Sequence, residues 1–128
     1  MTRNEVYDSL RAWLHSHGFD VGYRIQKRFW KDSDESAADR FIVIQQNGGG
    51  RQEEAISRDY FRILLLSGQN DSNINEVEDH AHAIRQAMID DYKTECIISM
   101  QPIGGITAIQ TEEGRYLFDI SFQTIISR

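Results

Sequence analysis

Two His-x-His pairs, His15 with His17 and His80 with His82, come nearest in type and spacing to a metal site. On a strand, alternate imidazoles share a face and take one ion between them. Both pairs fall in helical patterns, where positions two apart point about 200° away from each other. Neither pair brings its rings together, so they read as surface histidines and no metal is expected. Gly48-Gly49-Gly50 with Arg51 offers the bare backbone that cradles a phosphate, but it lacks the Lys, the Ser or Thr and the following helix of a P-loop. A flexible assembly loop is the better reading. Ser67-Gly68 follows an apolar run as a nucleophile elbow would, yet Gly-x-Ser-x-Gly is missing and a polar turn comes next. The lone Cys96 has no partner for an internal disulfide and no His nearby in sequence to activate it, so it reads as a small buried hydrophobe of a reducing compartment. Asp90 and Asp91 end a helical stretch, where the dipole disfavours negative charge, and read as surface. No nucleophile, base and oxyanion donors come together, so neither catalysis nor a cofactor is expected.

One aromatic pair attracts more interest. Phe29 and Trp30 stand between Arg28 and Lys31 at the end of a strand pattern. Neighbours on a strand face opposite ways, so one ring should point away from the core, as interface anchors do. The bland alternative is a ring covering the edge of its own sheet.

The elements that must position these residues follow from periodicity. Tyr116, Phe118, Ile120, Phe122 and Ile126 alternate with Asp119, Ser121, Gln123 and Ser127, the period of a half-buried strand. At roughly 3.3 Å per residue it crosses a small domain, so it reads as central. Ile106–Thr111 precedes it across Glu112–Arg115, where Gly114 supplies the turn of a hairpin. At the other end of the chain, Thr2-Arg-Asn-Glu5 is a capping box, and Val6, Leu10, Trp13 and Leu14 recur at helical spacing. Gly18 should stop that helix, with Phe19 folding back on its last turn. Tyr23–Trp30 and Phe41–Gln45 read as strands that pair. Between them, Asp32–Asp39 is an acidic connection.

Asn47–Glu54 combines glycines and charges, so it is expected to be an exposed, mobile loop. Asp59–Leu66 is apolar on both faces over its second half, as a strand covered on both sides or pressed to a partner chain would be. After the turn residues Ser67–Asn73, a second helix is capped by Asn73 or Asn75, with Val77, Ala81, Ile84 and Met88 as its buried stripe, widened by Ala87 and Tyr92. Ile97, Ile98 and Met100 form a strand closed by Pro102. The order is helix, three strands, helix, three strands. It predicts an α+β fold with a mostly antiparallel, mixed β-sheet and two helices packed on one face.

The 128 residues suit one domain spanning 1–128, and a chain of that length buries about two thirds of its unfolded surface without staples. A net charge of −6 opposes binding through nucleic-acid phosphates. Arg24, Lys27, Arg28 and Lys31 would divide between two strand faces rather than form a stripe. Neither an apolar leader nor a membrane-length apolar run is present in the sequence, so an intracellular protein with no membrane partner is expected.

The order of parts resembles the tail terminator proteins of long-tailed bacteriophages. The likeness rests on Tyr60-Phe-Arg-Ile-Leu-Leu-Leu66, the helix Glu76–Asp90 after a polar turn, Gln101-Pro-Ile-Gly-Gly105, and the closing Glu112-Glu-Gly-Arg-Tyr-Leu-Phe-Asp-Ile-Ser-Phe122. The first helix and Arg40–Ile44 fit the same plan. The resemblance implies a non-enzymatic virion or prophage protein, assembled in the host cytoplasm, that caps the tail tube. It implies a homo-oligomeric ring, a hexamer in the best-known relatives, whose partners are its own copies, the tail-tube protein and a head-completion protein. DNA would pass through the ring without sequence-specific binding, and net negative charge would keep it from sticking to the wall. A ring needs two different patches that meet. Phe29, Trp30, Asn47, Gly48, Gly49, Gly50, Arg51, Tyr60 and Arg62 are the candidate interface residues. Two other readings are a different neck or tail-completion protein of the same architecture, and a small-molecule-binding or hydrolytic α+β domain using His80 or His82 as a base.

Overall fold

The strand that closes the sequence is the hub of the sheet. The computed structural model describes residues 3–28, 39–52, 56–94, 97–111 and 114–127. Within them the elements run α1 (Arg3–Ser16), β1 (Arg24–Lys27), β2 (Phe41–Gln52), β3 (Ile56–Leu66), α2 (Ile74–Asp90), β4 (Ile97–Pro102), β5 (Thr107–Gln110) and β6 (Tyr116–Ser127). The strands lie in the order β1-β2-β3-β6-β4, with β5 also on β6. One edge of β6 therefore bonds β3 along its whole length, while the other takes β4 near Thr124 and β5 near Phe118. Phe118, Ile120, Phe122 and Ile126 are buried on one side, as the alternation requires. Thr124, the break in that apolar row, is buried too, its hydroxyl donating to the Asp59 carbonyl at 3.0 Å.

Both helices pack on this face. Val6, Leu10, Trp13 and Leu14 of α1 and Val77, Ala81, Ile84 and Met88 of α2 join Ile42, Ile63, Ile120 and Phe122 in one core. The first helix ends as its glycine dictates. Gly18 takes φ 74°, its amide bonds the His15 carbonyl, and the Phe19 amide reaches the Leu14 carbonyl at 3.0 Å. Phe19 then packs against Trp13, completing a Schellman stop with its apolar contact. At α2 the cap is Asn73, whose side chain accepts from the Glu76 amide and donates to the Glu76 carboxylate.

Four sequence expectations are corrected or sharpened. Asn47–Glu54 was expected as a mobile loop, but Asn47–Gln52 continues β2 as strand. The ladder with β3 runs through Gln46↔Phe61, Gly49↔Asp59 and Gln52↔Ser57, so β2 carries two extra residues across this stretch. Glycines absorb such bulges, and the long β3 supplies the bonding partner that local sequence does not show. The pairing of β1 with β2 is parallel, which the intervening connection permits, since a parallel pair needs about a dozen residues or more to cross over. Tyr92 does not widen the buried stripe of α2 but stays 45% exposed, because the helix ends before it. Beyond the main core, Leu64 and Leu66 are buried on the opposite face with Phe41 and Val43, so that end of β3 is covered on both sides.

Thr2, Phe29, Trp30, Lys31–Ala38, Glu53, Glu54, Cys96, Glu112 and Glu113 lie outside the described residues, and with them the expected cap of the first helix, the aromatic pair and the buried thiol.

Candidate assembly surface

Because both helices cover one side of the sheet, the alternate residues of each strand face away from them. On β3 these are Arg58, Tyr60 and Arg62, and on β6 Asp119, Ser121 and Gln123. The register sets Gln45 opposite Arg62, Arg62 opposite Ser121 and Tyr60 opposite Gln123. Arg62 donates from Nε to Gln45 Oε1 at 2.8 Å and sits 3.6 Å from an Asp119 oxygen. The Ser121 hydroxyl holds the other Asp119 oxygen at 3.2 Å. This half-buried polar row crosses three strands, with Tyr60 beside it. A tyrosine flanked by arginines on a rigid sheet is the composition of a protein contact rather than of a catalytic centre.

Next to the row, Leu64, Leu66, Phe41 and Val43 make the small second core. Its lid includes a residue that sequence reasoning placed in a turn. Arg115 is fully buried. Its guanidinium lies 5.2 Å over the Phe41 ring, and Nη1 donates to the carbonyls of Asp39 at 2.7 Å and Ser67 at 2.8 Å. Ser67 itself is structural. Its amide and hydroxyl bond the Tyr116 carbonyl and amide, extending the β3–β6 ladder by one residue, so it is no nucleophile elbow.

The predicted site residues separate. Tyr60 and Arg62 share the helix-free face. Asn47 is exposed, and Gly48, Gly49, Gly50 and Arg51 follow it in the bulged part of β2, away from β1, whose register stops at Ile44.

A second polar cluster, missed in the sequence, stands where β2 begins. Arg40 grips Asp71 with two bonds of 3.0 and 3.1 Å and reaches Glu76 at 2.8 Å. Asp71 also accepts from the amides of Gly68 and Asn73. Those bonds, Arg40 first, hold the Asp71 carboxyl well below the usual carboxylate range, and Asp71 raises the Arg40 guanidinium in turn. The only sequence signal for it was Asp71 two residues before the helix cap. Burial pushes the neighbouring Tyr23 phenol up.

Two of the histidines, His17 and His80, serve packing. Tyr23 stacks on His80 at 4.5 Å, Phe19 meets the edge of His80, and His17 stacks on Phe19. His80 Nε2 lies 2.7 Å from the Phe19 carbonyl oxygen, while His82 is exposed beside Glu78. His15 bonds Asp20, the main reason that the Asp20 carboxyl is lowered. An open groove of about 480 Å³ between α1 and the segment after α2 is lined by Glu5, Asp8, Ser9, Trp13, Asp91 and Thr94, among others, and by neither His80 nor His82. Among the described residues, no group of three His, Cys, Asp or Glu side chains is placed to hold a metal ion.

A mixed six-stranded sheet with both helices packed on one face defines an α+β module. The chain belongs to the phage tail termination protein family, whose model matches residues 3–128. A chain in the solved virion of a native gene transfer agent particle is similar in fold, with a TM-score of 0.61 at 13% identity, covering 96% of this chain and 92% of that one. No curated protein matches the sequence. No described helix is long and apolar enough to cross a membrane.

Proposed function

We propose that this chain caps the phage tail tube, stops its polymerisation and forms the joint to the head, acting as a ring of identical subunits, a hexamer when assembled. It does so as a structural protein and not as an enzyme. The observation that carries this reading is membership of the tail termination family over residues 3–128. The helix-free face supports it, since a rigid sheet holds Tyr60 and Arg62 in a row with Gln45 and Asp119. That face and the bulged end of β2, from Asn47 to Arg51, are the contact surfaces. They meet neighbouring copies, the tail-tube protein and a head-completion protein. DNA passes through the ring without sequence-specific contacts, and a net charge of −6 keeps the polymer from adhering.

The test is removal of the gene from its phage or prophage, followed by electron microscopy of the particles. Tubes of excess and variable length that fail to join heads are expected. Tails of normal length joined to heads would overturn the proposal.

A further inference from the structure

The large apolar side chains that stay exposed are distributed unevenly. Ile89, Tyr92, Ile98, Ile103 and Ile109 are 44–51% exposed, and all five lie on or beside the β4–β5 side of the sheet, including the end of α2 that packs there. Among the described residues the other one is Val21, 77% exposed in the turn that leads into β1. Since β1 and β4 are opposite ends of the strand order, the two apolar features point to opposite sides of the molecule. Between α2 and β4 runs an open groove of about 400 Å³, bordered by Arg85, Ile89, Tyr92, Met100 and Pro102.

Charge follows the same axis. At the end of α2, which packs against β4, stands Asp90, with no basic residue in the last turn of the helix, so its carboxylate adds to the negative end of the helix dipole. Asp91 turns to the α1 side, where it bonds His17, and among the described residues Asp90 bonds Gln86. At the β1 side stand Arg24, Lys27 and Arg28. Arg24 bonds Asp39 yet keeps its side chain 66% exposed, and Lys27 bonds Asp8. Strand addition does not suit the β4 edge, because the Met100 amide is already bonded to the Tyr92 carbonyl. A partner there must be held by side chains.

We infer that the groove between α2 and β4 receives the β1 side of a second copy of this chain, with Val21 entering between Ile89 and Tyr92 and Arg24 facing Asp90. Two different patches on opposite sides make a head-to-tail contact, the type that closes into a ring. The inference rests on the ring reading above and assigns its lateral contact.

The experiment uses the full chain and measures mass in solution by native mass spectrometry and light scattering over a range of concentrations, alone and with tail tubes. Ile89→Asp disables the groove, and Val21→Asp disables the opposite patch. Each should weaken self-association by about 30-fold or more while circular dichroism melting is unchanged. If either melts early, the surface changes Asp90→Ala and Arg24→Ala replace them. Mixing the two variants is the decisive step, because each retains the patch that the other lacks. Dimers and nothing larger are expected from the mixture. A wild-type ring with variants that still assemble, or a mixture that stays monomeric, overturns this assignment and leaves the ring reading standing. A wild-type chain that stays monomeric throughout, even on tail tubes, overturns the ring reading and the inference together.

Discussion

Arg40 and Asp71 face each other through two parallel hydrogen bonds of 3.0 and 3.1 Å, tying the start of β2 to the turn that introduces α2. Asp71 is the more enclosed partner, its side chain 8% exposed against 20% for Arg40. Replacing the carboxylate by an amide removes the charge and one of the two acceptor oxygens, leaving Arg40 to Glu76 and the Asn73 carbonyl. Asp71→Asn should therefore cost about 2–4 kcal/mol in urea unfolding at pH 7.

The same pair sets an acid dependence. The folded-state carboxyl of Asp71 is depressed by Arg40, so its contribution is fully present above the unfolded value near pH 4 and is lost as pH falls through the lower folded value. The stability gap between wild type and Asp71→Asn should narrow steadily as pH drops below about 4. A gap that stays constant or widens in chemical denaturation over that range would contradict the assignment.

Arg115→Met keeps the bulk over Phe41 but withdraws the donor from the Asp39 and Ser67 carbonyls. Buried carbonyls without partners are costly, and a loss of about 2–3 kcal/mol is expected. Calorimetric melting would reveal it as a lowered Tm, with the larger fall predicted for Arg115→Ala, which also empties the space above the ring.

At Gly114 the backbone takes φ 83°. Among the described residues, a Cβ added there would meet Asn70 Oδ1 alone, at an ordinary 3.6 Å. Gly114→Ala should consequently cost only the backbone term, about 1–2 kcal/mol, measurable as a shift in urea midpoint. A loss much above that would mean that the turn is packed more tightly than its geometry indicates.

Tyr60→Ala and Arg62→Ala separate assembly from folding. Arg62 is over a third exposed and its ion pair is long, so stability should change by less than about 1 kcal/mol. Binding to purified tail tubes, followed by sedimentation, should drop markedly for both. Wild-type binding by both variants would exclude this face from assembly.

The sequence revealed the fold where burial imposes a period and concealed it where distant partners decide. The stripe Val77, Ala81, Ile84 and Met88 was readable because one face of a helix must be dry. The Gly18 stop followed from local steric rules. Asn47–Gln52 was misread because glycine freedom is a local property, whereas its strand state depends on pairing with Ser57–Phe61. Strand direction leaves no trace in alternation, so the parallel β1–β2 pair could not be foreseen. Of the candidate surface, Tyr60 and Arg62 were legible from alternation on β3. Arg40, Asp71 and Arg115 were not, because a single polar residue in a connecting segment discloses its burial only through groups far off in the chain.

The hub position of β6 bears on how the molecule is made. Leu66 must wait for Leu117, and Ile56 for Ser127, before β3 gains its second neighbour. Closing such large loops is entropically slow. Until then the oily edge of β3 stays bare in a nascent chain, where it invites premature clumping. Synthesis at low temperature or with added chaperones should raise the yield of correctly folded material, and the slowest refolding phase should track substitutions in Phe118–Phe122.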